Sequence, residues 1–222
     1  MSDKGNDMDP HAGKDHDIVP EAHDRLAELG LSWKLLRRCL EHGQYAGDET
    51  TANHPRIAEG FYVWAETNRV LRDSLVKHDW TKNEESNIPR TVAPDGSFCV
   101  VAVSGEEGTG IQGANPGTKN PRGTAGIATV ERNRQLELFP EMFSDSRPNL
   151  VRTWYLLYFR RGDTLFAELV LPTRVDQLGG IRKWEERIVL PRLDLSPGDV
   201  GGEEDNSGSH EEVEVPVKRR DA

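Results

Sequence analysis

Residues 1–19 are polar and carry no hydrophobic period, and from Pro20 the pattern turns helical. Pro20 suits a first helical turn, with Glu21 and Asp24 near the positive end of the helix dipole. Leu26 and Leu29 lie three apart before Gly30 breaks the segment. Ser32 is placed to cap a second helix running to about His42, with Trp33, Leu36 and Leu40 on one stripe and Gly43 as terminator. Residues 44–54 read as a polar connection. A longer helix is predicted from Pro55 to about His78. Its stripe is Ile57, Phe61, Trp64, Leu71 and Leu75, and its polar face carries Arg69, Arg72 and Asp73.

The pattern then changes to β. Phe98 to Val103 is β-branched and apolar on both parities, as a central strand would be. Residues 104–126 hold seven glycines and two prolines and predict a long loop. Ile127 to Arg134 reads as a short helix or strand, the helix being favoured, and 132–149 as a linker segment. Thr153–Arg160 and Leu165–Leu171 pair as a hairpin about Arg161-Gly162-Asp163. Ile181–Leu190 returns after the turn at 177–180, with Trp184 sharing a face with Arg182 and Glu186, and Pro191 ends it. These elements predict an α+β fold in one domain over residues 20–195: an N-terminal helical layer, residues 20–80, on a small antiparallel sheet, a meander within 97–192.

Charge sharpens the boundaries. The chain is 222 residues long with a net charge of −10. Residues 1–24 carry seven acids and two bases, net −5, and residues 196–222 carry eight acids and three bases, also −5. Residues 25–195 are therefore formally neutral, and segments 1–19 and 196–222 read as disordered acidic tails. Cys39 and Cys99 each sit in an apolar stretch and read as buried free thiols, which fits a reducing cytosol. The start of the chain has no apolar core of a secretory signal, and no apolar run approaches a membrane span, so a cytoplasmic location is expected.

One short motif carries most of the functional content. Gln135-Leu136-Glu137-Leu138-Phe139, followed by Pro140, resembles the peptides by which bacterial DNA-processing proteins dock on the beta sliding clamp. The resemblance implies a partner, the clamp, with a shallow hydrophobic cleft that takes a short extended peptide. Leu138 and Phe139 would supply the apolar anchors, on the order of 2 kcal/mol each. Leu136 would add a side contact, and Gln135 would hydrogen-bond at the rim. Glu137 would face solvent, and Pro140 would keep the segment extended. The competing reading makes Leu136, Leu138 and Phe139 a core strand or an anchor on the sheet. The blocks NHPRIAEGFYVWAETNRVLRDSL and TWYLLYFRRGD resemble an uncharacterised group of bacterial mobile-genome proteins, which implies a setting in element maintenance or phage defence.

Other constellations are weaker. The glycine-rich loop lacks the Gly-x-x-x-x-Gly-Lys signature, although Lys119 and Arg122 could touch phosphate or nucleic acid. Residues 147–192 carry nine bases and five acids, net +4, so a mildly basic sheet face is a second candidate for nucleic-acid contact. Arg25 to Leu40 has a helix-turn-helix outline with one residue too few, and packing explains its stripe. No histidine pairs with cysteine at ligand spacing, so no metal or other cofactor is expected. Glu66, Asp73, Glu168 and Glu185 are carboxylates on predicted elements without a catalytic signature. The sequence leans away from an enzyme and toward an accessory protein of replication or repair. The alternatives are a nucleic-acid binder or nuclease using the loop and basic face, and a structural or defence-complex subunit with a protein partner.

Overall fold

Pro20 opens α1 (Pro20–Glu28) as expected, and Gly30 closes it in the left-handed region at φ +63° while the Leu31 amide donates back to the Leu26 carbonyl. This is a computed structural model, and it describes residues 18–138 and 151–196. The expected acidic tails, apart from the few residues at their inner ends, and the polar linker at 140–149 lie outside the described residues. After α1 come α2 (Trp33–Asp48), α3 (Ala58–Leu75), β1 (Thr81–Asn83), β2 (Arg90–Val92) and β3 (Phe98–Ser104). They are followed by α4 (Thr124–Leu138), β4 (Arg152–Arg161), β5 (Thr164–Val175), β6 (Ile181–Val189) and β7 (Leu193–Asp194).

The fold is α+β, as the pattern predicts. The sheet is ordered β1-β2-β3-β4-β5-β6, with β7 pairing with β5. It is mixed rather than a purely antiparallel meander. β4, β5 and β6 are antiparallel neighbours, but β3 and β4 run parallel from Phe98↔Arg152 to Ser104↔Tyr158. Parallel pairing needs a crossover. The chain supplies it with the glycine-rich loop and α4, which lie between β3 and β4 in sequence. Two cores result. Leu36, Leu40 and Leu71 of the N-terminal helices pack on Val100, Leu156 and Leu169. Val101, Tyr155, Leu157 and Val170 face the other way, toward Val130 of α4 and Trp184. β4 is buried on both faces, which is why its sequence reads as an unbroken apolar run. β1 and β2 had no sequence signal because each is three residues long.

Gly43 does not end α2, which continues to Asp48. Its missing side chain lets α3 approach. A Cβ on Gly43 would stand 1.9 Å from the Thr67 hydroxyl oxygen and 2.9 Å from the Val63 carbonyl oxygen, and one on Gly47 would meet a Val63 methyl at 2.5 Å. Alanine gains about 1 kcal/mol over glycine in a helix. Here the clash opposes a buried hydroxyl already bonded to the Val63 carbonyl at 2.7 Å. Gly43→Ala is therefore expected to cost about 1–3 kcal/mol net, read as a shifted midpoint in urea with an unchanged slope.

Two further expectations need correction. Of the α3 stripe, Leu71 and Leu75 are buried, but Ile57 is 78% and Phe61 54% exposed. Ala58, Val63, Thr67, Val70 and Leu71 make the inward face, because close approach to α2 favours small and β-branched side chains there. In β6, Trp184 does not share a face with Glu186. Leu171 pairs with Glu186 and Pro172 with Trp184, so a bulge removes one step of alternation. Glu186 reaches Arg25 of α1 at 2.6 Å, while Trp184 joins the second core.

Two buried asparagines repair gaps in the ladder. The Asn68 side chain of α3 accepts from the Ala102 amide at 3.0 Å and donates to the Ala102 carbonyl at 3.3 Å. Asn133 of α4 accepts from the Thr153 amide at 2.8 Å and donates to the carbonyls of Thr153 and Pro172, both at 2.9 Å. Each amide acts as a surrogate strand where none is available. At Asn133 the gap is forced by Pro172, which has no N–H to offer β4.

Candidate functional site

α4 is held to the sheet by Val130, Asn133 and Leu136, spaced three apart on one stripe. Val130 and Asn133 are 0% exposed and Leu136 is 8% exposed. The helix runs through Leu138, so the first half of the expected linker is helical. Pro140 restricts only itself and the residue before it, which leaves the preceding turn free to stay wound. Gln135, Leu136 and Leu138 therefore sit on the last turn, and Phe139 lies outside the described residues. Gln135 and Leu138 are three apart on one exposed face, with Leu138 54% exposed. Leu136 points inward instead, and Glu137 lies 3.6 Å from the Lys183 ammonium. The two competing readings of the motif thus divide by residue: Leu136 packs, and Leu138 does not.

The glycine-rich loop is an anchored cover over the second face. Gly105 bridges Thr118, and the Lys119 amide donates to the Ser104 carbonyl at 2.9 Å. The Trp184 indole donates to the Pro116 carbonyl at 3.0 Å. The Arg187 guanidinium reaches the carbonyls of Ala114 and Ile111. Gly110 lies against β5, where a Cβ would stand 2.9 Å from the Ala167 amide nitrogen. Beneath it Glu168, 0% exposed, pairs with Arg187 at 2.7 Å. Burial pushes the Glu168 carboxyl above its usual range, and the Arg187 charge pulls it back.

The two loop bases have different fates. Lys119 is exposed. Arg122 folds onto the Tyr155 ring, 5.6 Å from its centroid, with its amide bound to the Gly179 carbonyl at 2.8 Å. Of the nine bases in 147–192, four arginines are held in ion pairs that a linear sequence hides. Arg152 pairs with Glu185, Arg160 with Asp48, Arg161 with Glu107 and Arg187 with Glu168. The three partly exposed pairs, of Arg152, Arg160 and Arg161, add little stability, whereas Arg187–Glu168 is buried.

The carboxylates singled out in the sequence do not converge. Glu66 and Asp73 share Arg69, Glu185 pairs with Arg152, and Glu168 lies under the loop. Among the described residues no cluster of three His, Cys, Asp or Glu side chains could hold a metal ion, and no helix is long and apolar enough to cross a membrane. Both cysteines are buried and free, and burial pushes the Cys39 thiol up to about 12. α1 and α2 pack into the first core rather than presenting a reading head.

Sequence reasoning missed a cavity of about 460 Å³ between α2 and α3, lined in part by Tyr45, Glu49, His54, Tyr62 and Glu66. Its signal was Tyr62, an aromatic outside the predicted α3 stripe, with Tyr45 in what reads as a polar connection. Comparison of the chain with protein-family models, curated proteins and solved structures gives no match.

Proposed function

We propose that this protein is an accessory factor that docks on the beta sliding clamp through Gln135, Leu136, Leu138 and Phe139, and so acts beside replicating or repaired DNA. The observation that supports the reading is the exposure of Leu138 next to Gln135 on the last turn of α4. A leucine 54% exposed at a helix end contributes little to the fold and is available to a partner. Docking as an extended peptide requires this turn to unwind. Asn133 fixes the helix just before the motif and limits the unwinding to the residues that bind.

Docking in an extended form draws Leu136 out of the second face. That costs about 2 kcal/mol, and burial of Leu138 and Phe139 in the partner's cleft, about 2 kcal/mol each, offsets it. Calorimetry with purified clamp tests the reading. Leu138→Ala and Phe139→Ala are each expected to weaken binding tenfold or more. Leu138→Ala should leave the urea midpoint within about 0.5 kcal/mol of the parent, as an exposed position does. Equal affinity of parent and double variant, or no binding by the parent, would sink the proposal.

A further inference from the structure

We infer that the cavity between α2 and α3 receives a lysine or arginine side chain from an apolar–basic segment of a partner protein. Its walls are aromatic and its rim is anionic. Tyr45 and Tyr62 line it, 62% and 42% exposed. The His54 ring stands edge-on to Tyr62, with centroids 6.1 Å apart and planes at 87°. That ring is held by its own loop, because the Thr51 amide donates to His54 Nδ1 at 3.0 Å. One wall is therefore held before any ligand arrives.

Two features make this place negative. Glu49 caps the C-terminus of α2 and lines the cavity. The carbonyl end of that helix adds the negative pole of its dipole. Glu66 lines the same cavity with both carboxylate oxygens bonded to Arg69, which meets its charge, and His42 lines it beside them. Aromatic faces and carboxylates together select a cation with an alkyl stem. A free small cation would use only the cavity. Phe61 and Ile57, both well exposed, continue the surface along α3 and suit the apolar neighbours of such a side chain in a peptide. The site lies on the helical face of the sheet, opposite α4, so its occupant and the partner of the α4 end do not compete.

The test is an NMR titration of the full chain with the peptide acetyl-Leu-Lys-Phe-amide and its norleucine analogue, reading the amides of Tyr45, Glu49 and Tyr62. Saturable shifts are expected with the lysine peptide and at least tenfold weaker binding with norleucine. Tyr62→Ala should lower the lysine-peptide affinity tenfold, and Glu49→Gln severalfold, both positions being exposed enough to leave folding intact. Equal binding of the norleucine peptide would reduce the site to a greasy patch. Tetramethylammonium binding as tightly as the peptide would make it a small-cation site. Concentration-dependent shifts without peptide would mean that a second copy of the chain covers it. Each of these results, or no saturable shift with the lysine peptide, overturns the inference.

Discussion

Arg187→Met is expected to remove about 3–5 kcal/mol of folding stability, because it strands a buried carboxylate. Glu168 is 0% exposed, and the Arg187 Nε donates to it at 2.8 Å. Among the described residues the other donor to that carboxylate is the Gly110 amide at 3.3 Å. The loss should depend on pH in a definite direction. Burial raises the folded-state value of Glu168 above its unfolded value. Between the two the native state holds more protons, so stability falls as pH rises through that window. Removing Arg187 takes away the charge that lowers the folded value and widens the window upward. The deficit of the variant should thus be greatest near pH 7 and shrink as pH falls through about 4, below which glutamate becomes protonated in either state. Urea melts at both pH values read this directly. Glu168→Leu combined with Arg187→Met should recover much of the loss, since a buried pair replaced by apolar groups is often neutral. A deficit that does not change with pH would instead assign the cost to the lost bonds from Arg187 to the Ile111 and Ala114 carbonyls.

Asn133→Ala is the second large effect, about 3 kcal/mol or more. It leaves the Thr153 amide, the Thr153 carbonyl and the Pro172 carbonyl without the side chain that serves all three. Each is deep in the second face, where an unsatisfied group costs about 1–3 kcal/mol. Asn133→Asp keeps the acceptor but loses both donated bonds and buries a charge, so it should be at least as damaging. Urea melts give the size. Faster exchange of the Thr153 amide in the folded variant would locate the damage, and an unchanged Thr153 rate would argue that water takes over the role of Asn133.

How much of this was legible follows from what a linear pattern can carry. Pro20, Ser32, Gly30 and Gly162 act on their own neighbours, and the first three bounded their helices correctly while Gly162, at φ +57°, makes the β4–β5 turn. Gly43 misled because the same residue that stops a helix also lets two helices touch, and only Thr67 and Val63 distinguish the cases. The parity of Trp184 was lost to a bulge that no local residue announces. Asn133 and Asn68 carry no local signal, because the strand groups they serve lie 20 or more and 34 residues away in sequence. The motif at 135–139 was read from residue types alone. Its conformation over 135–138 was not, because that turn is held by contacts distant in sequence, with Leu136 buried and Glu137 beside Lys183.

Hydrogen exchange of the full chain with and without purified clamp is the most direct measurement. Docking at the end of α4 predicts altered exchange centred on residues 133–140 when the clamp is added, with the amides of α2 and α3 unchanged. Binding that protects another surface and leaves 133–140 untouched, or no change anywhere at saturating clamp, would contradict it.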